Sequence, residues 1–246
     1  MASKTLAFIG CGNMGSAILS GLLDATRADN SATASSPPKL SHFIINTKTA
    51  TSADRLRTQF QSDASRVEVL HAQNVRAMQT ADVILLACKP FLAAEILREP
   101  GVQDALAGKF VISIMAGMTP DEIAECIFPS SSSSEDQQQQ QGRPVIVRAM
   151  PNVAARLRKS LTIVEESASL SAERAELLTW MFEQIGAVKY LGPELFDAGG
   201  MVAGASMAMF TMPLDGLLDG SVVLGIRRSE ALEMVTQVLA DENINT

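Results

Sequence analysis

The feature that most constrains this chain is a glycine-rich turn close to its N-terminus. An apolar run with Leu6, Phe8 and Ile9 precedes the turn, and apolar residues recur at helical spacing after it. The turn consists of Gly10, Cys11, Gly12, Asn13, Met14 and Gly15. Glycines permit positive φ angles and close approach of a ligand, and the free N–H groups of the next helix attract phosphate. The pattern G-x-G-x-x-G between a strand and a helix predicts a dinucleotide-binding site, the alternative being a plain glycine turn.

The charge of the chain restricts its partners. The 246 residues carry a net charge of −7 at pH 7, which argues against nucleic acid and against a membrane surface as partners. The hydrophobic content of 47% is sufficient for one large domain or two modest ones.

The three cysteines, Cys11, Cys88 and Cys126, fit neither a disulfide framework nor the spacing of a metal site. That usage suits a reducing compartment, and the first residues lack the pattern of a secretory signal, so we expect a cytoplasmic protein without a metal. Cys11 is either a reactive thiol at a helix N-terminus or, as we favour, a small residue that fills the turn.

A second predicted strand, residues 41–46, ends where a dinucleotide fold contacts the ribose of its cofactor. The residues at that end are Asn46, Thr47 and Lys48, and no acidic side chain follows until Asp54. An Asp or Glu would favour NAD by bonding the ribose 2′-hydroxyl, whereas a neutral and basic ending favours a 2′-phosphate. We therefore predict NADP(H), with NAD(H) as the alternative and a solvated helix start as the interpretation without a ligand.

Two further buried strands are predicted to end at the same edge of the sheet. Residues 81–88 and 109–115 are rich in apolar residues, which is typical of parallel strands that are covered on both faces. The residues at their ends are Lys89 and Pro90, and Ala116 and Gly117. Ligands of open α/β sheets bind at the carboxyl ends of strands, so Lys89 is either functional or only solvated.

The pattern of alternating strands and helices predicts an α/β fold in two domains. We expect a Rossmann-like dinucleotide-binding domain at residues 1–164, followed by a smaller all-helical domain at residues 165–246. Within the first domain, residues 129–142 are of low complexity and predict a flexible surface loop.

A long uncharged segment, residues 198–214, lies in the predicted helical domain. Its length is borderline for a membrane span, and we interpret it as a buried helix. Pro213 is expected to kink or break that helix.

Five segments of the chain together carry a family resemblance. They read GCGNMG, ADVILLACKP, ISIMAGMTPDEI, VIVRAMPN and FEQIGAVKYL, and their order and intervals match over most of residues 5–240. In these segments the chain resembles the pyrroline-5-carboxylate reductases, which reduce the ring C=N bond of pyrroline-5-carboxylate with NAD(P)H and form L-proline.

The resemblance implies what the predicted strand ends bind. It places the pyrophosphate at residues 10–15 and the ribose or its phosphate at residues 46–48. It also implies that the cofactor is lined by Asn74, Ala87, Cys88, Lys89, Pro90, Met115, Ala116 and Gly117. Asn152 falls near the nicotinamide end, either as a contact or as a structural residue. Neither His42 nor His71 lies in a matching segment, so we assign no catalytic side chain.

The chain departs from the family in its helical part. The family has a stretch similar to Gly-Ser-Gly-Pro-Ala, where this chain has Met207 in place of the proline. The resemblance implies a further helix and a substrate-carboxylate loop beyond Thr246, so we expect a truncated helical domain. The family's oligomer is built from the C-terminal helices, which makes a homo-oligomer through these helices an expectation here.

Three functions are open at this point. We favour NADPH-dependent reduction of the cyclic imine L-1-pyrroline-5-carboxylate to L-proline. The second is reduction of a different cyclic imine, and the third is nucleotide binding by a relative with impaired catalysis.

Overall fold

The computed structural model describes residues 3–29, 39–129 and 142–240, so that most of the predicted loop at 129–142 lies outside the described residues. The chain divides into two compact units, Met1–Gly200 and Met201–Thr246.

A single eight-stranded sheet organises the first unit. Its strands are β1 Lys4–Ile9, β2 Leu40–Thr47, β3 Val67–His71, β4 Val83–Leu86, β5 Phe110–Ser113, β6 Val145–Met150, β7 Ser160–Glu165 and β8 Gly186–Leu191. Its helices are α1 Asn13–Asp29, α2 Ala50–Gln59, α3 Asn74–Thr80, α4 Ala93–Leu97, α5 Val102–Leu106, α6 Pro120–Ile127, α7 Ala172–Glu183 and α8 Pro193–Gly200. Short 3-10 turns occupy Gln61–Asp63, Pro90–Leu92 and Val153–Leu157.

The strand order is β3-β2-β1-β4-β5-β6-β7-β8, in which the first six strands in this order run parallel. The order reverses between β1 and β4, which is the crevice where a doubly wound sheet binds its ligand. Ile9 of β1 pairs with Asn46 of β2 on one side and with Leu86 of β4 on the other. The residues that follow these three positions therefore meet at one edge of the sheet.

Helices cover both faces of the sheet because successive strand residues point to opposite sides. Leu6 and Phe8 of β1 belong to a core with residues of α1, α2 and α7, whereas Ala7 and Ile9 belong to a core with residues of α3, α5 and α6. These four strand residues are fully buried or nearly so. The predicted Rossmann-like fold is thereby confirmed.

The sheet extends into the segment that the sequence predicts to be helical. β7 runs antiparallel to β6, and β8 pairs in parallel with β7, from Ser160 opposite Gly186 onward. Strand β8 was missed because its residues are only half-buried or exposed, so it lacks the continuous apolar run that marks the inner strands. Residues 165–200 consequently belong to the first compact unit, and helices follow from Met201.

The second unit contains a π-helical turn, Met201–Ala205, and the helices α9 Ser206–Val223 and α10 Arg228–Ala240. Arg228 of α10 forms ion pairs with Asp215 and Asp219 of α9. The sequence predicts a kink or a break at Pro213, and helix α9 continues through that residue without a break. A proline removes one backbone N–H donor and thus one helical hydrogen bond, and the other hydrogen bonds of this 18-residue helix keep it continuous.

The burial predicted for residues 198–214 is wrong. The helical segment Pro193–Val223 has a mean hydropathy of 1.3 in its most apolar window, of which 11% is buried, and it is long and apolar enough to cross a membrane. Met209, Phe210 and Met212 are 71%, 65% and 78% exposed. The helix carries apolar side chains on all of its sides, so a single neighbouring helix leaves much of its apolar surface uncovered.

Candidate functional site

The glycines of the first turn have three different environments. Gly10 has φ +83°, and a Cβ atom there would lie 2.9 Å from the backbone of Cys88, so the position requires glycine. A Cβ on Gly12 would meet nothing within 4 Å. A Cβ on Gly15 would lie 3.3 Å from the sulfur of Cys11. The outer glycines thus serve a tight turn and close packing, while the backbone of Gly12 is open to a ligand.

A cavity of about 630 Å³ lies on one side of Gly12. The residues that line it come from the glycine turn and from the ends of β4 and β5. They are Gly12, Asn13, Met14, Gly15, Ala17, Ala87, Cys88, Lys89, Pro90, Ile114, Met115, Ala116, Val153 and Arg156. Its volume suits half of a dinucleotide.

A second cavity, of about 550 Å³, lies toward the end of β2 and shares Gly12, Ala87, Cys88 and Lys89 with the first. Its other lining residues are Gly10, Cys11, Asn46, Thr47, Lys48, Ser52, Arg55, Ala72, Asn74, Leu92, Glu95, Ile96 and Glu99. The two cavities therefore meet at the glycine turn and at the end of β4. This arrangement suits a long ligand whose middle lies at the N-terminus of α1 and whose two halves lie in the two cavities.

The two cavities bring together all of the residues that the sequence assigns to the cofactor, with the exception of Gly117. Gly117 has φ +75° and lies in the turn between β5 and α6, where it serves the backbone conformation. The helix after it begins as Thr119 and Pro120 suggest, since Thr119 and Glu122 form a complete capping box.

The charged side chains of the second cavity differ from expectation. Lys48, predicted to meet a 2′-phosphate, lies 2.8 and 2.9 Å from the two carboxylate oxygens of Glu95. Arg55 instead donates to the carbonyl of Cys11 at 3.3 Å and to the side chain of Gln59 at 3.2 Å. The acidic lining comes from Glu95 on α4 and from Glu99, four residues later. The sequence prediction missed both because they lie after the segment ADVILLACKP and not within it.

Both thiols at the site are protonated at neutral pH. Burial raises the pKa of Cys11 to about 11, and burial likewise raises the pKa of Cys88 to about 11. The sulfur of Cys88 also lies 3.5 Å from that of Met115. Cys11 is 5% exposed, so it fills the turn as favoured from the sequence.

Asn152 has a structural role in the described fold. It caps the 3-10 turn Val153–Leu157, accepting a hydrogen bond from the N–H of Ala154 at 3.1 Å. Its own N–H donates to the hydroxyl of Ser160 at 3.0 Å. The turn that it starts places Val153 and Arg156 at the wall of the larger cavity, and neither residue was identified from the sequence.

The fold and the site together define a dinucleotide-binding oxidoreductase. Residues 5–117 match the family model described as NADP oxidoreductase coenzyme F420-dependent. The pyrroline-5-carboxylate reductase of Lophium arboricola is 37% identical in an alignment of 243 residues that covers 96% of this chain and 75% of the relative. The chain therefore belongs to the pyrroline-5-carboxylate reductase family, which confirms the resemblance seen in its motifs.

Solved structures agree with the fold. A pyrroline-5-carboxylate reductase from Coxiella burnetii matches with a TM-score of 0.75 at 20% identity, covering 97% of this chain and 77% of that one. A pyrroline carboxylate reductase from Plasmodium falciparum, solved with NADP bound, matches with a TM-score of 0.70 at 20% identity and the same coverage. At such identity these matches show the fold alone.

Proposed function

We propose that this protein reduces the cyclic imine L-1-pyrroline-5-carboxylate to L-proline with NADPH, as the last step of proline biosynthesis. The observation that carries the proposal is the open backbone of Gly12 at the junction of two cavities, in a chain of this family. The sizes of the cavities fit a bound dinucleotide, and so does the space at Gly12, where a Cβ would meet no atom of another described residue, apart from its chain neighbours, within 4 Å.

The residues of the site divide the work of binding. Residues 10–15 and the free N–H groups of α1 bind the pyrophosphate. The cavity at the end of β2, with Asn46, Thr47, Lys48 and Asn74, binds the adenosine half. The cavity with Lys89, Pro90, Met115 and Ala116 binds the nicotinamide half and admits the imine beside it.

The chemistry needs little from side chains. When bound, the cofactor supplies a hydride to the imine carbon, and the protein orients the two reactants. The ring nitrogen gains one proton, and a substrate that is already protonated is the better hydride acceptor. His42 and His71 line neither cavity, so no catalytic side chain is assigned.

The test is consumption of NADPH by the purified protein with and without pyrroline-5-carboxylate, together with a fluorescence titration of NADPH. Formation of proline would support the proposal. Binding of NADPH without turnover would contradict it. Two functions would then be left, a reductase of another cyclic imine and a relative that only binds nucleotide. A panel of other cyclic imines distinguishes these two. If the protein bound neither NADPH nor NADH, the proposed cofactor site would itself be contradicted.

We also propose that two copies of this chain associate through the helices α9 and α10. The support is their exposed apolar side chains, among them Met209, Phe210 and Val238, together with the oligomer implied by the family resemblance. Phe210→Asp should convert a dimer into a monomer in light scattering, while Asp219→Asn should not. A monomeric wild-type chain would contradict this. The division into a cofactor part, residues 1–164, and a substrate and dimer part, residues 165–246, belongs to the same proposal.

A cytoplasmic location completes the proposal. All three cysteines are free thiols, which suits a reducing compartment. Imaging of the full chain with a C-terminal fluorescent fusion tests this, and accumulation in an organelle would contradict it.

A further inference from the structure

The cavity at the end of β2 contains charges of both signs. The five charged side chains in its lining are Lys48, Arg55, Lys89, Glu95 and Glu99. Three are cations and two are carboxylates, so their net formal charge is +1. The two carboxylates therefore offset most of the attraction that the cations exert on a phosphate group of about −2 charge at neutral pH.

The carboxylates are held in place by hydrogen bonds. Both oxygens of Glu95 accept from the ammonium group of Lys48, at 2.8 and 2.9 Å. Glu99 accepts from the side-chain amide of Asn74 at 2.9 Å. The ion pair between Lys48 and Glu95 is exposed, at 58% and 62% of the two side chains, so its strength depends on the ionic strength.

The cations differ in their partners, and Lys89 differs from the other two in its place, since it lies at the end of β4 where the two cavities meet. Within the part of the chain that the structure describes, no carboxylate lies within ion-pair distance of Arg55. Its partners are the Cys11 carbonyl and the Gln59 side chain, which leaves its charge uncompensated. Lys48, by contrast, is neutralised by Glu95.

We propose that Glu95 determines cofactor specificity: it withholds Lys48 from the 2′-phosphate of NADPH, so that Arg55 is the main cation for that phosphate and NADH is accepted alongside NADPH. This rests on the proposed dinucleotide site. A carboxylate close to the ribose also suits NADH, because it can accept a hydrogen bond that the 2′-hydroxyl donates.

The test compares dissociation constants for NADPH and NADH by fluorescence titration at low ionic strength. Glu95→Gln removes one negative charge near a dianion and frees Lys48, so NADPH affinity should rise about tenfold. The affinity for NADH should stay the same or fall. Glu183→Gln, which makes the same charge change on α7 outside both cavities, should change neither affinity. The gain for NADPH should shrink in high salt, because the pair is exposed to solvent.

A double-mutant cycle with Lys48→Met separates the two residues. In the wild type this change should weaken NADPH by less than about threefold, and in the Glu95→Gln variant by about tenfold, since only there is the ammonium group free. An unchanged ratio of NADPH to NADH affinity in Glu95→Gln, or equal effects of Lys48→Met in both backgrounds, would overturn the specificity proposal alone. A folded wild type that binds neither dinucleotide would overturn the proposed function, and this inference with it.

Discussion

The side-chain amide of Asn46 donates a hydrogen bond to the side-chain carbonyl of Asn74 at 2.6 Å, which joins the end of β2 to the first residue of α3. The carbonyl of the Asn46 side chain accepts from the N–H of Gln73 at 2.9 Å. Asn46 is 2% exposed, so both of its polar groups hold the start of α3 in place. Asn74 in turn presents its remaining surface to the second cavity.

Asn46→Ala should therefore act on stability and on cofactor binding together. Loss of the amide leaves buried groups without partners, so the free energy of unfolding should fall by about 1–3 kcal/mol. NADPH and NADH affinities should fall by equal factors, because the change moves Asn74 and not a charge. Urea unfolding and titration measure the two effects, with His42→Ala on the same strand as control. A loss confined to NADPH would show that Asn46 contacts the phosphate directly.

The environments of Gly10 and Gly12 predict opposite results for similar changes. Gly12→Val adds a side chain to open space, so the variant should fold with nearly unchanged stability and lose dinucleotide binding by at least a hundredfold. Gly10→Ala introduces strain at φ +83° and a contact at 2.9 Å, so it should lower the melting temperature. Circular dichroism and titration distinguish them. Full NADPH affinity in folded Gly12→Val would refute the site.

The buried ion pair between Arg148 of β6 and Glu165 of β7 predicts a strong asymmetry between single and double changes. Their side chains are 7% and 10% exposed, and the guanidinium also lies 4.2 Å from the ring centre of Phe196. Among the described residues, Glu165→Ala leaves the buried cation with the exposed Asp197 as its ion-pair partner, so the free energy of unfolding should fall by about 3–5 kcal/mol.

The double variant Arg148→Met with Glu165→Leu should recover most of that loss, because two apolar side chains of similar volume can pack in the same space. Urea unfolding of the wild type, of the single variants Arg148→Met and Glu165→Leu and of the double variant gives the coupling energy. Additive losses would mean that the two side chains stabilise the fold independently.

The buried thiol of Cys11 predicts a stability loss in alkali. Its pKa is raised by burial from 9.0 to about 11, so the folded chain keeps the proton more tightly than the unfolded chain does. The contribution is complete below pH 9 and is lost as the pH rises from 9 through 11, with a size on the order of 2 kcal/mol. Cys11→Ala should show a shallower decline in unfolding free energy between pH 8.5 and 10.5. Equal declines would contradict the assignment.

The parts that could be predicted from the sequence are those in which local pattern and tertiary environment agree. The inner strands β1, β4 and β5 are continuous apolar runs, and the glycine turn between β1 and α1 defines where they meet a ligand. The strand ends at residues 46–48 and 87–90 follow from that framework, because parallel strands end at a common edge.

The parts that could not be predicted depend on neighbours that no local pattern reveals. The pairing of Lys48 with Glu95 joins residues 47 positions apart, and the charge of either one alone suggests a different specificity. Strand β8 is partly exposed and pairs only at the edge of the sheet, so its composition resembles that of a loop or helix end. The exposure of α9 depends on which other elements pack against it, and its own residues do not reveal them.

The reversal of chain direction at β7 determines where the first compact unit ends. Ile163 pairs with Met150 near the cofactor edge, and β7 and β8 then lead the chain away from that edge. Helix α8, eight residues and about 12 Å long, returns it, since a Cβ on Gly200 would lie 2.2 Å from the sulfur of Met150. The antiparallel pairing of β7 with β6 thus reverses the direction of the backbone. It brings Gly200, the last residue of the first unit, back to Met150, the last residue of β6.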